Sequence, residues 1–415
     1  VPDFSPIFHL IPEVEKLMGQ DPKPGAELAV ITTLRGQGHD PDTVRAALEQ
    51  VSLRYRLDQS WPKDWLLTRD GAEAASHPLV AQFHARVISE ILTHSGIDRI
   101  VDLGAGIGSD SYALAAQGLA VTAWEQDQRT AEFLEHNLRH FANATAIHGN
   151  SDLTESDSPA YFVDPARRSG TRTSDGNRAL PERDPQRWTP PLSAVMARSR
   201  TAIAFMKAAP AFEPPKEWTR YCISVNRTLV EIFTSNTSPL DSESKNFAVM
   251  IDTASRATVV IAEEQIPEGQ LPEGQLPERV APDATELGDC VYEVDPAIYR
   301  AGLQQQVATE FGLNTIGNKG MWLTGNQLDH PPTYLRMYKV HAVSPIKDLE
   351  KMVAHLPGVA IKNKDSHLES AALRTASKKP DHNMWAVVVT NLNGHDVGIL
   401  VSRESVTGEF EQLAW

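Results

Sequence analysis

The sequence predicts an α/β protein organised on a parallel sheet, and three features of one stretch, Asp98 to Asp127, predict it. A short apolar run, Ile100-Val101, reads as a buried parallel strand. Gly104, Gly106 and Gly108 follow at once and open a helical pattern through Tyr112, Leu114 and Ala115. A second apolar strand, Leu119 to Trp124, ends on Glu125. Strand, glycine turn, helix, strand and acid make the first half of a nucleotide-binding sheet. Glycine lets the backbone turn sharply and approach a ligand. An acid about 20 residues later accepts hydrogen bonds from ribose hydroxyls.

The turn itself narrows the ligand. A dinucleotide fingerprint needs glycine at its first, third and sixth positions, whereas here the third glycine is Gly108 and Ser109 follows. Asp102 stands just before the turn, where it would repel a pyrophosphate and hold an ammonium group. The implied ligand is an adenosine compound, cationic at its far end and without phosphate, which fits S-adenosyl-L-methionine. The competing readings are a glycine turn serving packing alone and a dinucleotide enzyme with a degenerate turn. Asp102-Leu103-Gly104-Ala105-Gly106-Ile107-Gly108 resembles motif I of the class I methyltransferases, and Glu125 their acid after the second strand. The resemblance implies a Rossmann-like sheet. It also implies that Asp102, Gly104, Ala105, Gly106, Gly108, Glu125 and Gln126 hold the cofactor.

The 415 residues are long enough for two or three domains. Hydrophobic content of 41% and charged content of 22% are those of an ordinary globular chain, with no apolar run approaching a membrane span. The opening residues carry acids where a signal peptide carries bases. Two cysteines, Cys222 and Cys290, point to a reducing, cytoplasmic setting and away from a disulfide or zinc framework. His136 and His140 lie one helical turn apart without a third ligand, so no metal is expected. The net charge of −15 opposes a nucleic-acid partner at long range. Between Ala166 and Trp188, however, six arginines stand against three acids, so RNA contact there is compatible with the overall charge.

Residues 1–95 read as a helical region. Asp40-Pro41 is a cap followed by proline at the first helical position, with Val44, Leu48 and Val51 on one face. A second helix start is Ser76 with Pro78, before Val80, Phe83, Val87 and Ile91. Leu66 to Arg86 resembles the lead-in of a bacterial methyltransferase family with a THUMP-like C-terminal domain. There a Thr or Ser at the place of Ser76 caps a helix beside the cofactor cleft, which implies a substrate-side role for Ser76; the plain reading is a helix cap. The family's glutamine two positions earlier is Ala74 here.

The sheet domain is expected over 96–264. A helix over Gln128 to Phe141 buries Ala131, Leu134 and Leu138, and Thr145 to His148 is the third strand. A polar residue beyond it holds the adenine amino group in class I methyltransferases; Asn150 is preferred over Asp152. Tyr161-Phe162-Val163 is the fourth strand and delivers Asp164-Pro165-Ala166-Arg167-Arg168. This is the place of motif IV, where amino-methylating enzymes carry Asp/Asn-Pro-Pro-aromatic. There the acid and the first proline's carbonyl accept hydrogen bonds from the target amine, and the aromatic stacks on a flipped base. Asp164 and Pro165 keep the first two positions, and Asp164 also borders the cofactor. Ala166 and Arg167 replace the last two, and an arginine plane stacks on bases or holds phosphate. Asp-Pro-Ala-Arg-Arg is the most specific marker of the THUMP-like family, which implies Arg167 and Arg168 on the nucleotide; the plain reading of Asp164 is a loop cap.

Ser169 to Arg187 reads as a loop that orders over substrate, with a helix from Trp188 to Met196. Thr201 to Met206 is the fifth strand, leading to Lys207-Ala208-Ala209-Pro210, again like the family. Four β-like runs (221–225, 228–233, 248–251, 257–262) are expected to close the sheet in the antiparallel sense. Residues 265–334 are expected as a linker, with the five-residue repeat of Ile266 to Arg279 as a solvated insert and a helix over Ala301 to Phe311. Residues 335–415 carry strands Met337 to Ala342, Trp385 to Thr390 and Val397 to Val401, with helical patterns over Pro345 to His355 and Ser366 to Arg374. This α+β order resembles a THUMP-like domain. Leu335 to Glu404 holds ten Lys/Arg against seven Asp/Glu, with Lys362, Lys364, Lys378 and Lys379 clustered. THUMP domains bind RNA, so the resemblance implies an RNA-facing module; a solvated basic face is the plain alternative. The whole is expected to be an S-adenosylmethionine-dependent methyltransferase acting on RNA at a base nitrogen. Its competitors are a methyltransferase for a small molecule or protein, which −15 favours, and a cofactor-binding RNA-binding protein without turnover.

Overall fold

The structure, a computed structural model, describes residues 2–19, 25–55, 57, 60–149, 157–166, 182–239, 243–263, 286–317, 320–353, 356, 359–363 and 385–403. The chain divides into two units, Val1–Thr219 with Ile232–Glu243 and Arg220–Glu231 with Ser244–Trp415. No described helix is long and apolar enough to cross a membrane.

The first unit opens with helices α1 (Ser5–Met18), α2 (Ala26–Gly36) and α3 (Pro41–Arg54). Val14, Val30, Leu34, Val44, Leu48 and Val51 form their common core. α3 starts as its sequence predicts: Asp40 accepts from the Thr43 amide at 2.8 Å, and Pro41 takes the first helical position. α4 (Arg69–Ala74) is capped by Thr68. α5 (Pro78–His94) begins one residue later than expected, with His77 as its cap. Ser76 cannot serve there because its hydroxyl donates to Asp110 at 2.7 Å.

β1 (Arg99–Leu103), α6 (Ser109–Ala116), β2 (Ala120–Glu125), α7 (Gln128–Leu138), β3 (Ala144–His148) and β4 (Ala160–Val163) then alternate almost as predicted. α8 (Leu192–Arg198) starts after Trp188 rather than at it. Thr189 and Pro190 each precede a proline, which pushes them toward extended backbone, and Trp188 is itself extended and buried in the core. β5 (Ile203–Ala208) follows. The parallel order is β3-β2-β1-β4-β5, and the Ile232–Ser235 end of β7 (β6 being Thr219–Val225 and β7 Thr228–Ser235) pairs antiparallel with β5. Within this unit the Thr234 hydroxyl donates to the Thr219 carbonyl at 2.7 Å.

In the second unit, β8 (Asn246–Ile251) pairs antiparallel with β9 (Thr258–Ala262) but parallel with β6, correcting the expectation that all closing strands run antiparallel. The chain reverses between β6 and β7 and again before β8, so β6 and β8 run the same way. A seven-stranded sheet follows, built from β10 (Cys290–Val294), β11 (Asn314–Ile316), β12 (Trp322–Gly325), β13 (Leu335–Pro345), β14 (Ala360–Asn363), β15 (Trp385–Leu392) and β16 (His395–Arg403). Its order is β11-β12-β10-β13-β16-β15-β14, antiparallel except between β14 and β15. The expected linker over 265–334 is therefore corrected: β10, β11 and β12 lie in that stretch and belong to the same sheet as β13. The helix predicted over 301–311 is α10 (Gln304–Glu310); a separate helix, α9 (Pro296–Ala301), precedes it and ends at Gly302, whose φ of +79° suits glycine. α11 (Leu349–Val353) is the part of the Pro345 to His355 pattern that forms an α-helix. Ile266 to Arg279, Ser366 to Arg374 and Lys364, Lys378 and Lys379 lie outside the described residues.

Candidate active site

Strand register assembles the site. Asp102 pairs with Phe162 and Phe162 with Phe205, so these three side chains share one face of the sheet. Leu103, Val163 and Met206, one residue on, enter the apolar core on the other face. One further step returns to the first face and brings Asp164 at the end of β4 beside Lys207 on β5. The carboxyl edge of the parallel strands thus gathers Asp102, Asp164 and Lys207, where open α/β sheets bind ligands.

A cleft opens at this edge, lined by Gly71, Ala74 and Ala75 of the lead-in and by Asp102, Gly104, Ala105, Gly106, Ile107, Ser109, Asp110, Phe162 and Asp164. The glycine loop crosses the end of β4 closely: Gly104 has φ +83°, and a Cβ there would stand 2.9 Å from the Asp164 carbonyl oxygen. Asp102 is buried. Its Oδ2 accepts from the Ser111 hydroxyl, and its Oδ1 has no hydrogen-bond partner among the described residues. Burial pushes its carboxyl up to about 8; the Ser111 hydroxyl opposes the shift, and the charges of Asp110 and Asp164 add to it.

Asp110 takes the opposite course. Burial works against its charge, yet His84, Lys207 and Ser76 together hold its carboxyl below the usual range. His84 Nδ1 lies 2.8 Å from Oδ1, and the Ser76 hydroxyl donates to Oδ2. Ser109 in turn donates to the Ser76 carbonyl at 2.7 Å. The His84 ring packs 4.5 Å from Phe233 and 5.8 Å from Phe162. Lys207 donates to Asp164 Oδ2 at 2.9 Å and to the Ala74 carbonyl at 3.1 Å.

Of the residues singled out in the sequence, Asp102, Gly104, Ala105, Gly106 and Asp164 line this cleft. Gly108 sits behind it as the left-handed cap of α6. Ser76 meets the cleft through Asp110. Glu125 accepts from the Gly106 amide at 3.0 Å and from the Asp127 amide at 2.8 Å, tying the glycine loop to the end of β2. Gln126 is exposed one residue further on, and Pro165 is buried after Asp164. Asn150, Arg167 and Arg168 lie outside the described residues. Among the described residues, no group of three or more His, Cys, Asp or Glu could hold a metal ion.

Sequence reasoning missed Asp110, His84 and the role of two buried amides. Gln50 both donates to the Leu67 carbonyl and accepts from its amide, each at 2.9 Å. Asn137 does the same for Leu66 and also donates to the Ile107 carbonyl at 2.8 Å. The extended segment before α4 is thereby bonded like a strand, with side-chain amides in place of neighbouring backbone. A buried Asn on an apolar helix face was the available signal. Asn137→Leu is expected to cost roughly 2–5 kcal/mol, since three buried backbone groups lose their partner. Thermal or urea unfolding checks this, and an unchanged midpoint would refute it.

A family model described as a domain of unknown function, DUF8688, matches residues 12–56. Ribosomal RNA small subunit methyltransferase A of Bacillus licheniformis is 35% identical over 65 residues, which are 15% of this chain and 22% of that relative. The match thus spans about a fifth of the relative's length. A solved structure of a candidate methyltransferase from Porphyromonas gingivalis matches at a TM-score of 0.68 with 18% identity, covering 98% of this chain and 100% of that one. The fold shared with that structure comprises N-terminal helices, a mostly parallel sheet and a second, mostly antiparallel one.

Proposed function

We propose that this chain is an S-adenosylmethionine-dependent methyltransferase that acts on RNA at a base nitrogen. One observation carries the reading: Asp102, the glycine loop and Asp164 border a single cleft at the carboxyl edge of the sheet.

The residues present fit the cofactor. Asp102 Oδ1 is a buried acceptor in need of a donor, as an amino-acid ammonium would be. Gly104 leaves open the space that a Cβ would fill beside Asp164. Asp102, Asp110 and Asp164 favour a cationic occupant over an anionic one. Gly104, Ala105, Gly106 and Asp102 would hold it on the cleft side, with Glu125 and Asn150 on the nucleoside. When bound, S-adenosylmethionine supplies a methyl group on a sulfonium, already a good leaving group.

The protein's own task is then orientation. Asp164, with the Pro165 carbonyl, accepts hydrogen bonds from an acceptor N–H and directs the lone pair, a type of contribution worth up to ~7–11 kcal/mol in aligned systems. An anionic acceptor is repelled by the carboxylates, and a protonated amine has no lone pair, so a neutral nitrogen carrying hydrogen suits the site. The stretch shared with a ribosomal RNA methyltransferase and the arginines at 167 and 168 support RNA as the class. The likeness of residues 335–415 to a THUMP-like domain adds an RNA-facing module to the same reading.

A methyl-labelled cofactor, offered to total RNA, protein and small-molecule fractions from cells lacking this chain, tests the proposal. Label in RNA, located by mass spectrometry of nucleosides on a nitrogen, is expected. Label confined to protein or small molecules would replace the acceptor class, which the charge of −15 favours as a second reading. Binding of cofactor without label in any fraction would leave a non-catalytic RNA-binding protein.

A further inference from the structure

Lys207 lies at 6% exposure near the end of β5, and a lysine buried to that degree is costly unless its charge is met. Its ammonium is met by Asp164 Oδ2 and by the carbonyl of Ala74, the last residue of α4. Both partners line the cleft; Lys207 itself does not. One partner sits on the motif that faces the acceptor, the other on the helix that walls the cofactor side. Strand register alone brings the first pair together, and α4 reaches the second only because Gly71 lets it close on Ile107. A Cβ at Gly71 would stand 2.4 Å from Ile107 Cγ2.

We propose that Lys207 is a positioning residue for methyl transfer, cross-linking the Asp164 carboxylate to the wall helix and so fixing the orientation in which Asp164 meets the acceptor. This rests on the methyltransferase reading above. A carboxylate whose Oδ2 is held cannot turn freely about its Cβ–Cγ bond, so it meets the acceptor in one orientation. The ammonium also keeps a negative charge there tolerable beside Asp102 and Asp110.

The test pairs cofactor affinity by calorimetry with single-turnover transfer to RNA at saturating cofactor. Lys207→Met is expected to slow transfer about a hundredfold while cofactor affinity stays within about threefold, because alignment is lost and the binding residues are kept. Lys207→Arg restores the rate to within about tenfold, since it too donates to both oxygens. In an Asp164→Ala background, Lys207→Met changes the rate by less than about threefold, the signature of action through Asp164. Should Lys207→Met alone fail to fold, the double variant, which lacks both charges of the pair, supplies that comparison. An unchanged rate in Lys207→Met, equal losses of rate and affinity, or additive effects in the double variant would each overturn the inference while leaving the methyltransferase reading intact. No transfer by the unaltered protein would take down both.

Discussion

Asp164→Ala is expected to lower the rate of methyl transfer about a thousandfold at saturating cofactor, a loss of about 4 kcal/mol in the transition state. Asp164 stands at the end of β4, its amide donating to the Leu103 carbonyl of β1 at 3.2 Å and its carboxylate held against β5 by Lys207. No other carboxylate in the cleft has that placement: Asp102 is buried beneath the loop and Asp110 is committed to His84 and Ser76. Removing the side chain also takes the charged partner from the buried Lys207 ammonium, so some of the loss would reflect destabilisation. Asp164→Asn separates the two effects, because it keeps an acceptor for both Lys207 and the target N–H. That variant should retain transfer to within about tenfold of the parent. Single-turnover assays beside thermal melts read both quantities, and an Ala variant that transfers at the parental rate would remove Asp164 from the chemistry.

Asp102→Asn should make the free protein more stable and a poorer binder of cofactor. The Asp102 carboxyl is pushed up to about 8, chiefly by burial, far above its ordinary value near 4. In the window between those values the folded chain holds a proton that the unfolded chain has released. The contribution of this group to stability is therefore complete at low pH and declines as pH rises toward 8, by about 1.4 kcal/mol per unit. Asparagine imitates the neutral acid, keeps the acceptor for Ser111 and removes that decline. At pH 7 the gain is on the order of a few kcal/mol in the free protein. Binding runs the other way. A cationic ligand group at Oδ1 favours the carboxylate, so binding releases a proton and affinity rises with pH up to about 8. Asparagine should weaken affinity about 10–100-fold, the worth of one charge-assisted hydrogen bond, and flatten that pH dependence. Calorimetry in buffers of different ionisation enthalpy measures the released proton. Equal cofactor affinity for the two proteins, or no proton release at pH 7, would break the assignment of Asp102.

Much of the first unit could be read from local pattern. The glycine turn, the acid before it, the acid after the second strand and Asp164-Pro165 all announce themselves by spacing, because each depends on backbone that a short segment defines alone. Boundaries erred where a distant partner intervened. Ser76 reads as a cap until Asp110 claims its hydroxyl, and Trp188 reads as a helix start until two prolines and a core position take precedence. The second unit was less legible: strands β10, β11 and β12 are short and non-periodic, and follow a low-complexity repeat, so their stretch reads as linker.

The sequence by itself determined the fold class, the order of elements from β1 to β5 and the chemical types placed at the sheet edge, since hydrophobic period, glycine conformation and strand ends are local properties. Only the tertiary structure decided which of those groups meet. The pairing of Lys207 with Asp164 needs the register of β4 against β5, and the different protonation of Asp102 and Asp110 needs their burial and partners. Register and burial are set by contacts between residues far apart in the chain, and no local pattern encodes them.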